Sequence, residues 1–378
     1  MSTLKTMQTS KNSHKKKIAF IFYEFVSSSQ KGASGGNISN YLLIDYLRHY
    51  ADICIIAPDI QKELIAELES KGIRVITEAL TYRLPIKHFR KRQWIKAVIK
   101  RHLLNDPAPQ NTLDTVVASN GTSDLATVLQ SNKTQLYILC RAFEDFYNHD
   151  SYYPFKDKLK RSLIKILDSH KIYEAYRRAD RIVTNSEYMK DFIYSHYPDV
   201  NISVLYPPID IPVKALKPVP SAPRIGIINP SIRKGEAIFL SLARNYPALK
   251  FVYFSPSPKK YLLDNISYAG WFSDREELFS NADILIAPSV WSEPFGRVGV
   301  EAIRSGIPAL VSDAGGLPET VDNDFVVCGH SLDLWKEKLD WMISNSSEVE
   351  SAWQRSVMKS ENFGQGVHDR NALIIFTS

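Results

Sequence analysis

Short apolar runs alternate with amphipathic stretches along most of this chain. In the first half, KIAFIFYEF (17–25) reads as a strand, NISNYLLIDYLRHY (37–50) as an amphipathic helix and ADICIIAPD (51–59) as a second strand. QKELIAELESKG (61–72) has helical spacing. IRVITE (73–78), LDTVVASNG (113–121), TQLYILCRAFED (134–145) and ADRIVTNS (179–186) read as strands, the last three ending in polar or small residues. Strands that alternate with helices need crossover connections, so the pattern predicts a parallel, doubly wound sheet.

The stretch LYPPIDIPVKALKPVPSAP (205–223) holds six prolines. Proline fixes φ and has no N–H, so this stretch is neither a helix nor a central strand and reads as a linker. Beyond it the alternation restarts, with strands expected in RIGIINP (224–230), LKFVYFS (249–255), DILIAPS (283–289) and PALVSD (308–313). A chain of 378 residues is long enough for two domains with separate cores. The expected boundaries are a disordered basic tail at 1–16, a first α/β domain at 17–205, the linker at 206–223 and a second α/β domain at 224–378. YRRADRIVTNSEYM (176–189) echoes FSNADILIAPSVWSEP (279–294), each a helix end, Ala-Asp, an apolar strand and a Ser. Two similar domains facing each other are expected, with ligands in the cleft beyond the carboxyl ends of the strands.

The net charge of +6 is modest but unevenly placed. From Arg83 to Arg101, RLPIKHFRKRQWIKAVIKR carries eight Lys or Arg and no acid, with Trp94, Ile95, Val98 and Ile99 among them at helical spacing. Such a helix suits an anionic membrane surface, with Lys91, Arg92, Trp94 and Lys96 in contact. A solvated basic face and a nucleic-acid patch are the other readings, nucleic acid the weakest of the three. Cys54, Cys140 and Cys328 are few, odd in number and far apart, which argues for a reducing compartment and against a disulfide frame or a zinc site. No signal-peptide pattern follows the basic start, and no apolar run approaches the ~20 residues that cross a bilayer. A cytoplasmic protein is expected, peripheral at most on the inner face of the membrane.

The richest stretch is SVWSEPFGRVGVEAIRSGIPALVSDAGGLPE (289–319). It sets Glu293 and Glu301 eight positions apart, with a Pro, two Gly and an Arg between them. Pro294 suits the first turn of a helix, and Gly306 with Pro308 stops it. A helix N-terminus with small residues offers unpaired N–H groups to an anion. Carboxylates facing hydroxyls, beside N–H groups facing phosphate, describe a nucleotide-sugar site.

This string resembles the Glu-seven-residues-Glu motif of the retaining glycosyltransferases of family 4, and the likeness runs over roughly residues 17–345. It implies α/β architecture of the GT-B kind: two facing Rossmann-like domains with a cleft between them, the first binding the acceptor and the second the nucleotide sugar. It also implies that Glu301 holds the ribose hydroxyls and Glu293 the donor sugar's hydroxyls. The backbone of Phe295, Gly296 and Arg297 would meet the sugar and diphosphate. INPSIRKG (228–235) looks like the region that neutralises the leaving diphosphate. Lys234-Gly235 matches the family's Lys-Gly, whereas Asn229-Pro230 stands where the usual Gly-Arg pair would be. Arg233 is a substitute outside the family's position. Gly35 and Gly36 resemble the Gly-Gly loop that brings N–H groups to a phosphate, and the absence of G-x-G-x-x-G there counts against NAD. Where related transferases often carry a His, YILCRAFEDFYNHD offers Glu144 or Asp145 to orient or deprotonate the acceptor hydroxyl, with helix capping as the competing reading. Gly315 and Gly316, with Glu319, either close the pocket or simply turn the chain. The tail KSENFGQGVHDRNALIIFTS does not resemble the family's C-terminal helix that crosses back to the first domain.

The resulting expectation is a transferase that moves a sugar from a nucleotide diphosphate sugar to a hydroxyl, with retention, in glycan or polysaccharide synthesis. Its partners would be the nucleotide-sugar donor and a glycan or lipid-linked acceptor. No cofactor and no metal are expected, since Lys234 and N–H groups suffice for the diphosphate and Asp322-Asn323-Asp324 reads as a solvated turn. A nucleotide-sugar epimerase and a catalytically degenerate binding scaffold are the alternatives.

Overall fold

The computed structural model describes residues 15–27, 35–80, 86–104, 113–129, 133–143, 145–146, 170–272 and 274–377. The tail expected at 1–16 lies outside them up to residue 14, and Lys16 already begins a strand. The first sheet holds β1 (Lys16–Ile21), β2 (Ala51–Ile56), β3 (Arg74–Ile76), β4 (Thr115–Ser119), β5 (Gln135–Cys140), β6 (Arg181–Thr184) and β7 (Ile202–Val204). They run in the order β3-β2-β1-β4-β5-β6-β7, all parallel. The second sheet holds β8 (Arg224–Ile228), β9 (Lys250–Phe254), β10 (Ile266–Gly270), β11 (Ile284–Ala287), β12 (Ala309–Ser312) and β13 (Val326–Val327), in the parallel order β10-β9-β8-β11-β12-β13.

The apolar runs are continuous because both faces of each sheet are covered. In β1, Ile18 and Phe20 pack with Leu43, Ile44, Leu64 and Leu68 of two helices, while Ala19 and Ile21 pack on the other face with Ile95 and Ile99. Strand order reverses beside β1 and beside β8, and a doubly wound sheet opens its ligand crevice at such a reversal. The echo between 176–189 and 279–294 does not mark equivalent elements. Its strands are β6, two places beyond β4, and β11, which holds the place of β4 in the second sheet. Ala-Asp before a buried strand is a local solution that both sheets reach independently.

One point that the sequence left open is settled by the structure, and one expectation is corrected. The helix Gln365–Thr377 does cross back to the first domain. Phe376 is fully buried there, with its ring 6.0 Å from Phe20 and 5.8 Å from Tyr137. The chain therefore passes between domains twice, along the proline-rich segment and near Phe363, and Ile209 N–H donates to Phe363 O at 2.8 Å where the passages meet. The basic helix Ile86–Val98, continued by a π-helical turn Ile99–Leu104, turns its apolar side into the sheet. Lys91 lies within 3.3 Å of Asp59, and Arg92 pairs with Asp124 at 2.6 Å and donates to Gly121 O at 3.0 Å. Trp94 donates to Glu78 at 2.6 Å. Of the four residues assigned to a membrane, only Lys96 is exposed, because Asp59 and Asp124 draw the other charges inward. Among the described residues, no helix is long and apolar enough to cross a membrane.

Candidate functional site

A cleft of about 700 Å³ lies at the carboxyl ends of the strands, walled by both domains. The first domain contributes Gly35, Gly36, Arg141 and Asn185, and the second Lys234, Trp271, Arg275, Glu293, Gly296 and Glu301.

On the second domain's side, β8 runs into Asn229, which holds φ at 50°. Among side-chain-bearing residues, asparagine adopts this left-handed geometry with least strain, so it serves where the resemblance expected glycine. The chain then folds back through Ser231 to Gly235, where φ is 73° and an added Cβ would lie 1.8 Å from Pro288 O. Only glycine allows this contact, which presses the Lys234 loop onto the end of β11. Lys234 Nζ then forms an ion pair with Glu293 Oε1. The same oxygen accepts from Ser289 Oγ at 2.8 Å and from Trp291 Nε1 at 3.1 Å. Arg233 does not join Lys234 on the cleft wall. Its guanidinium lies 4.3 Å from the centre of the Trp291 ring, so it braces the indole that holds Glu293.

Glu293 is also fixed through its backbone. Gly316 N–H donates to Glu293 O at 2.7 Å, and a Cβ on Gly315 would come within 2.2 Å of that oxygen. The Gly315-Gly316 turn is thus a clamp on the first carboxylate. The following helix, Arg297–Arg304, starts later than Pro294 suggests, with Gly296 at its N-cap and φ of 92°. Phe295 is buried against Tyr206 and Phe363, where the two interdomain passages meet. Glu301 is 4% exposed, with Arg297 Nε 3.0 Å from one carboxylate oxygen and Arg275 Nε 3.5 Å from the other. Arg275 in turn lies 5.3 Å over Trp271. Each Glu of the motif thus has its own cationic neighbours.

On the first domain's side, Gly35 and Gly36 open the helix Gly35–Leu47. A Cβ on Gly35 would sit 2.7 Å from Arg297 Cδ, so glycine lets the domains approach here. Arg141 follows β5. Its N–H donates to Asn120 Oδ1 at 2.8 Å, and its carbonyl accepts from Asn185 Nδ2 at 3.0 Å. Its guanidinium is buried, and burial together with nearby Arg297 pulls its pKa down to about 10. The same burial, with Arg141 next in importance, lowers His368 to about 4. Asp145 is not available for proton transfer. Its carboxylate accepts from Gly121 N–H at 2.7 Å, Ser123 Oγ at 3.0 Å and Tyr176 OH at 3.0 Å, which makes it an anchor for the loop after β4. Glu144 lies outside the described residues.

Glu319 links the domains. It accepts from the N–H groups of Glu187 and Tyr188 at 2.9 and 2.7 Å, at the start of the helix Glu187–His196, and from Tyr206 OH at 3.0 Å. Ser186 Oγ donates to Pro294 O at 2.5 Å beside it. Sequence reasoning passed over Trp291 and Ser289 as site residues, although both stand in the motif string; an indole two positions from a buried carboxylate was the available signal. Trp271 and Arg275 carried no such signal, since the Glu301 that Arg275 meets lies in a distant segment. The Asp322–Asp324 turn is bound by Arg355, which lies 2.9 Å from Asp322 and 2.6 Å from Asp324.

The likeness to known proteins is strongest in fold. Sucrose-phosphate synthase from Thermosynechococcus elongatus superposes with a TM-score of 0.73 at 14% identity, over 96% of this chain and 98% of that one. HepE from Anabaena, in complex with UDP and glucose, superposes with a TM-score of 0.63 at 16% identity, over 96% and 100%. In sequence, D-inositol 3-phosphate glycosyltransferase from Mycobacterium marinum is 26% identical over 209 residues, 46% of this chain and 44% of that protein. The chain spans 12–44% of the lengths of the curated relatives it matches. Residues 254–358 match the family model for Glycosyl transferases group 1, and the chain around them has the two-domain GT-B fold.

Proposed function

We propose that this protein transfers a sugar from a nucleotide diphosphate sugar to a hydroxyl acceptor, with retention at the anomeric carbon and without a metal. The observation that carries the reading is the pair Glu293 and Glu301 on one cleft wall, each held by its own cations, with Lys234 between β8 and the first of them. Ribose hydroxyls donate to Glu301, whose orientation Arg297 and Arg275 fix. The diphosphate takes Lys234 Nζ and the N–H groups at the starts of the helices Arg297–Arg304 and Gly35–Leu47. Negative charge grows on the leaving phosphate as the glycosidic bond breaks, and donors already aimed there stabilise it more in the transition state than in the ground state. The acceptor hydroxyl approaches from the same face, and the leaving phosphate oxygen takes its proton. Glu293, released by Lys234, turns to the donor sugar's hydroxyls. HepE is described in complex with UDP and UDP-glucose, which makes uridine the first base to try.

A thermal-shift screen of nucleoside diphosphates, followed by nucleotide release from the matching donor with and without EDTA, tests this. A stabilising nucleotide and EDTA-resistant turnover are expected. Absence of any nucleotide response, or activity that dies in EDTA and returns with Mn²⁺, overturns it.

A further inference from the structure

Arg141 is the least compensated charge in the cleft. It lines the first domain's wall and is 7% exposed, yet among the described residues neither Nη1 nor Nη2 has a hydrogen-bond partner. The charge that acts on it most is another cation, Arg297. A buried guanidinium with no counter-ion is costly, because neither water nor a carboxylate replaces its lost hydration. Its backbone is nevertheless locked on both sides by Asn120 and Asn185, so the fold holds this cation at the cleft deliberately rather than letting it swing to solvent.

Two further orphans line the same cleft. Asn40 Oδ1 and Asn185 Oδ1 are buried acceptors without a donor among the described residues. The unmet demand is therefore specific in kind: a planar fork of N–H donors awaiting an oxyanion, beside amide oxygens awaiting hydroxyls. Lys234 meets a different need on the opposite wall, where it faces Glu293.

We propose that Arg141 is a specificity-determining residue that binds an oxyanion carried by the sugar in the cleft, a carboxylate or a phosphate monoester, so that the protein acts on an acidic sugar. The proposal rests on the glycosyltransferase reading above and adds the chemical class of its substrate. The acid belongs to the transferred sugar or to the acceptor. It is distinct from the donor's diphosphate, which Lys234 and the helix starts receive. The oxyanion forms a bidentate pair with Nη1 and Nη2, and sugar hydroxyls donate to Asn40 and Asn185. A small turn of the long Arg141 side chain about its fixed Cα brings the sealed nitrogens to the ligand.

Calorimetric titration separates the sources. In one arm, wild-type protein receives UDP, UDP-glucose and UDP-glucuronate. In the other, it receives glucose, glucuronate and glucose 6-phosphate, each with and without saturating UDP. The acidic member of one arm should bind about tenfold or more tighter than its neutral partner. Arg141→Gln should erase that preference, Arg141→Lys should keep part of it, and UDP alone should bind all three proteins equally. Melting of Arg141→Gln should not fall below wild type, because the substitution removes an uncompensated buried charge. Equal binding of acidic and neutral sugars by the wild type in both arms overturns the proposal, as does an Arg141→Gln protein that loses affinity for UDP itself. A wild type that binds acidic sugars but no nucleotide leaves the Arg141 site standing and sinks the transferase reading instead.

Discussion

Replacing Lys234 by Met separates the ion pair that this side chain forms from the leaving-group role proposed for it. In the ligand-free cleft it neutralises Glu293, whose side chain is 9% exposed. Stripping one partner from a buried pair costs roughly 3–5 kcal/mol. Lys234 itself is 34% exposed, so water enters in its place, and Ser289 and Trp291 still donate to the carboxylate. The expected loss is therefore about 1–2 kcal/mol, a fall in Tm on the order of 3–6 °C for a domain of this size. On the proposed transferase reading, Lys234 meets charge that develops on the leaving diphosphate, and losing that donor should slow donor consumption about 100-fold. The double variant Lys234→Met/Glu293→Gln leaves no unpaired charge. It should melt close to wild type and remain as slow as the single variant or slower. Calorimetric melting and nucleotide-release assays on the three proteins read both quantities. Recovery of turnover in the double variant would refute the catalytic role, since it would mean that Lys234 acts only by holding Glu293.

Gly235→Ala forces a Cβ to within 1.8 Å of Pro288 O at a left-handed φ, so urea unfolding should show a loss of about 3 kcal/mol or more, and a loss below 1 kcal/mol would contradict the packing described. Glu319→Ala removes the interdomain cap of the helix Glu187–His196; the radius of gyration in solution scattering should rise, whereas an unchanged scattering curve would show that Glu319 does not hold the domains together. His368 has a folded pKa lowered to about 4, below the ordinary value of 6.5, chiefly by burial and next by Arg141. The unfolded chain thus binds the extra proton first, so this stability is full above pH ~6.5 and is lost as pH falls toward 4. His368→Gln should flatten the decline of Tm over that range, and parallel wild-type and variant curves would exclude His368 as its cause.

The sequence made the alternation legible because each strand is buried on both faces, which leaves an unbroken apolar run, and because the proline-rich stretch has no helical or central-strand alternative. The candidate site's arrangement in the second domain was legible for a related reason: Glu293, Gly296, Glu301 and the Gly315-Gly316 turn lie within one stretch of chain, and their spacing is their geometry. What escaped depends on distant partners. Nothing near Lys91 or Arg92 announces that Asp59 and Asp124 bury them. Asp145 looks like any first-turn carboxylate until Gly121, Ser123 and Tyr176 are seen around it. The helix Gln365–Thr377 shows an apolar face without saying which domain that face meets. Arg233 stands beside Lys234 in sequence, but the turn that aims Lys234 at Glu293 lays Arg233 on Trp291.

The return of that last helix has a consequence for biosynthesis. Phe376 completes the core around Phe20 and Tyr137, so the domain translated first is sealed by residues translated after the whole second sheet. At ribosomal speeds the interval between β7 and Phe376 is on the order of ten seconds or more. During that time the first domain's core lacks the Phe376 ring, while the second domain is contiguous in the chain. The order of synthesis and the order of completion are opposite, and the nascent first domain waits for the second.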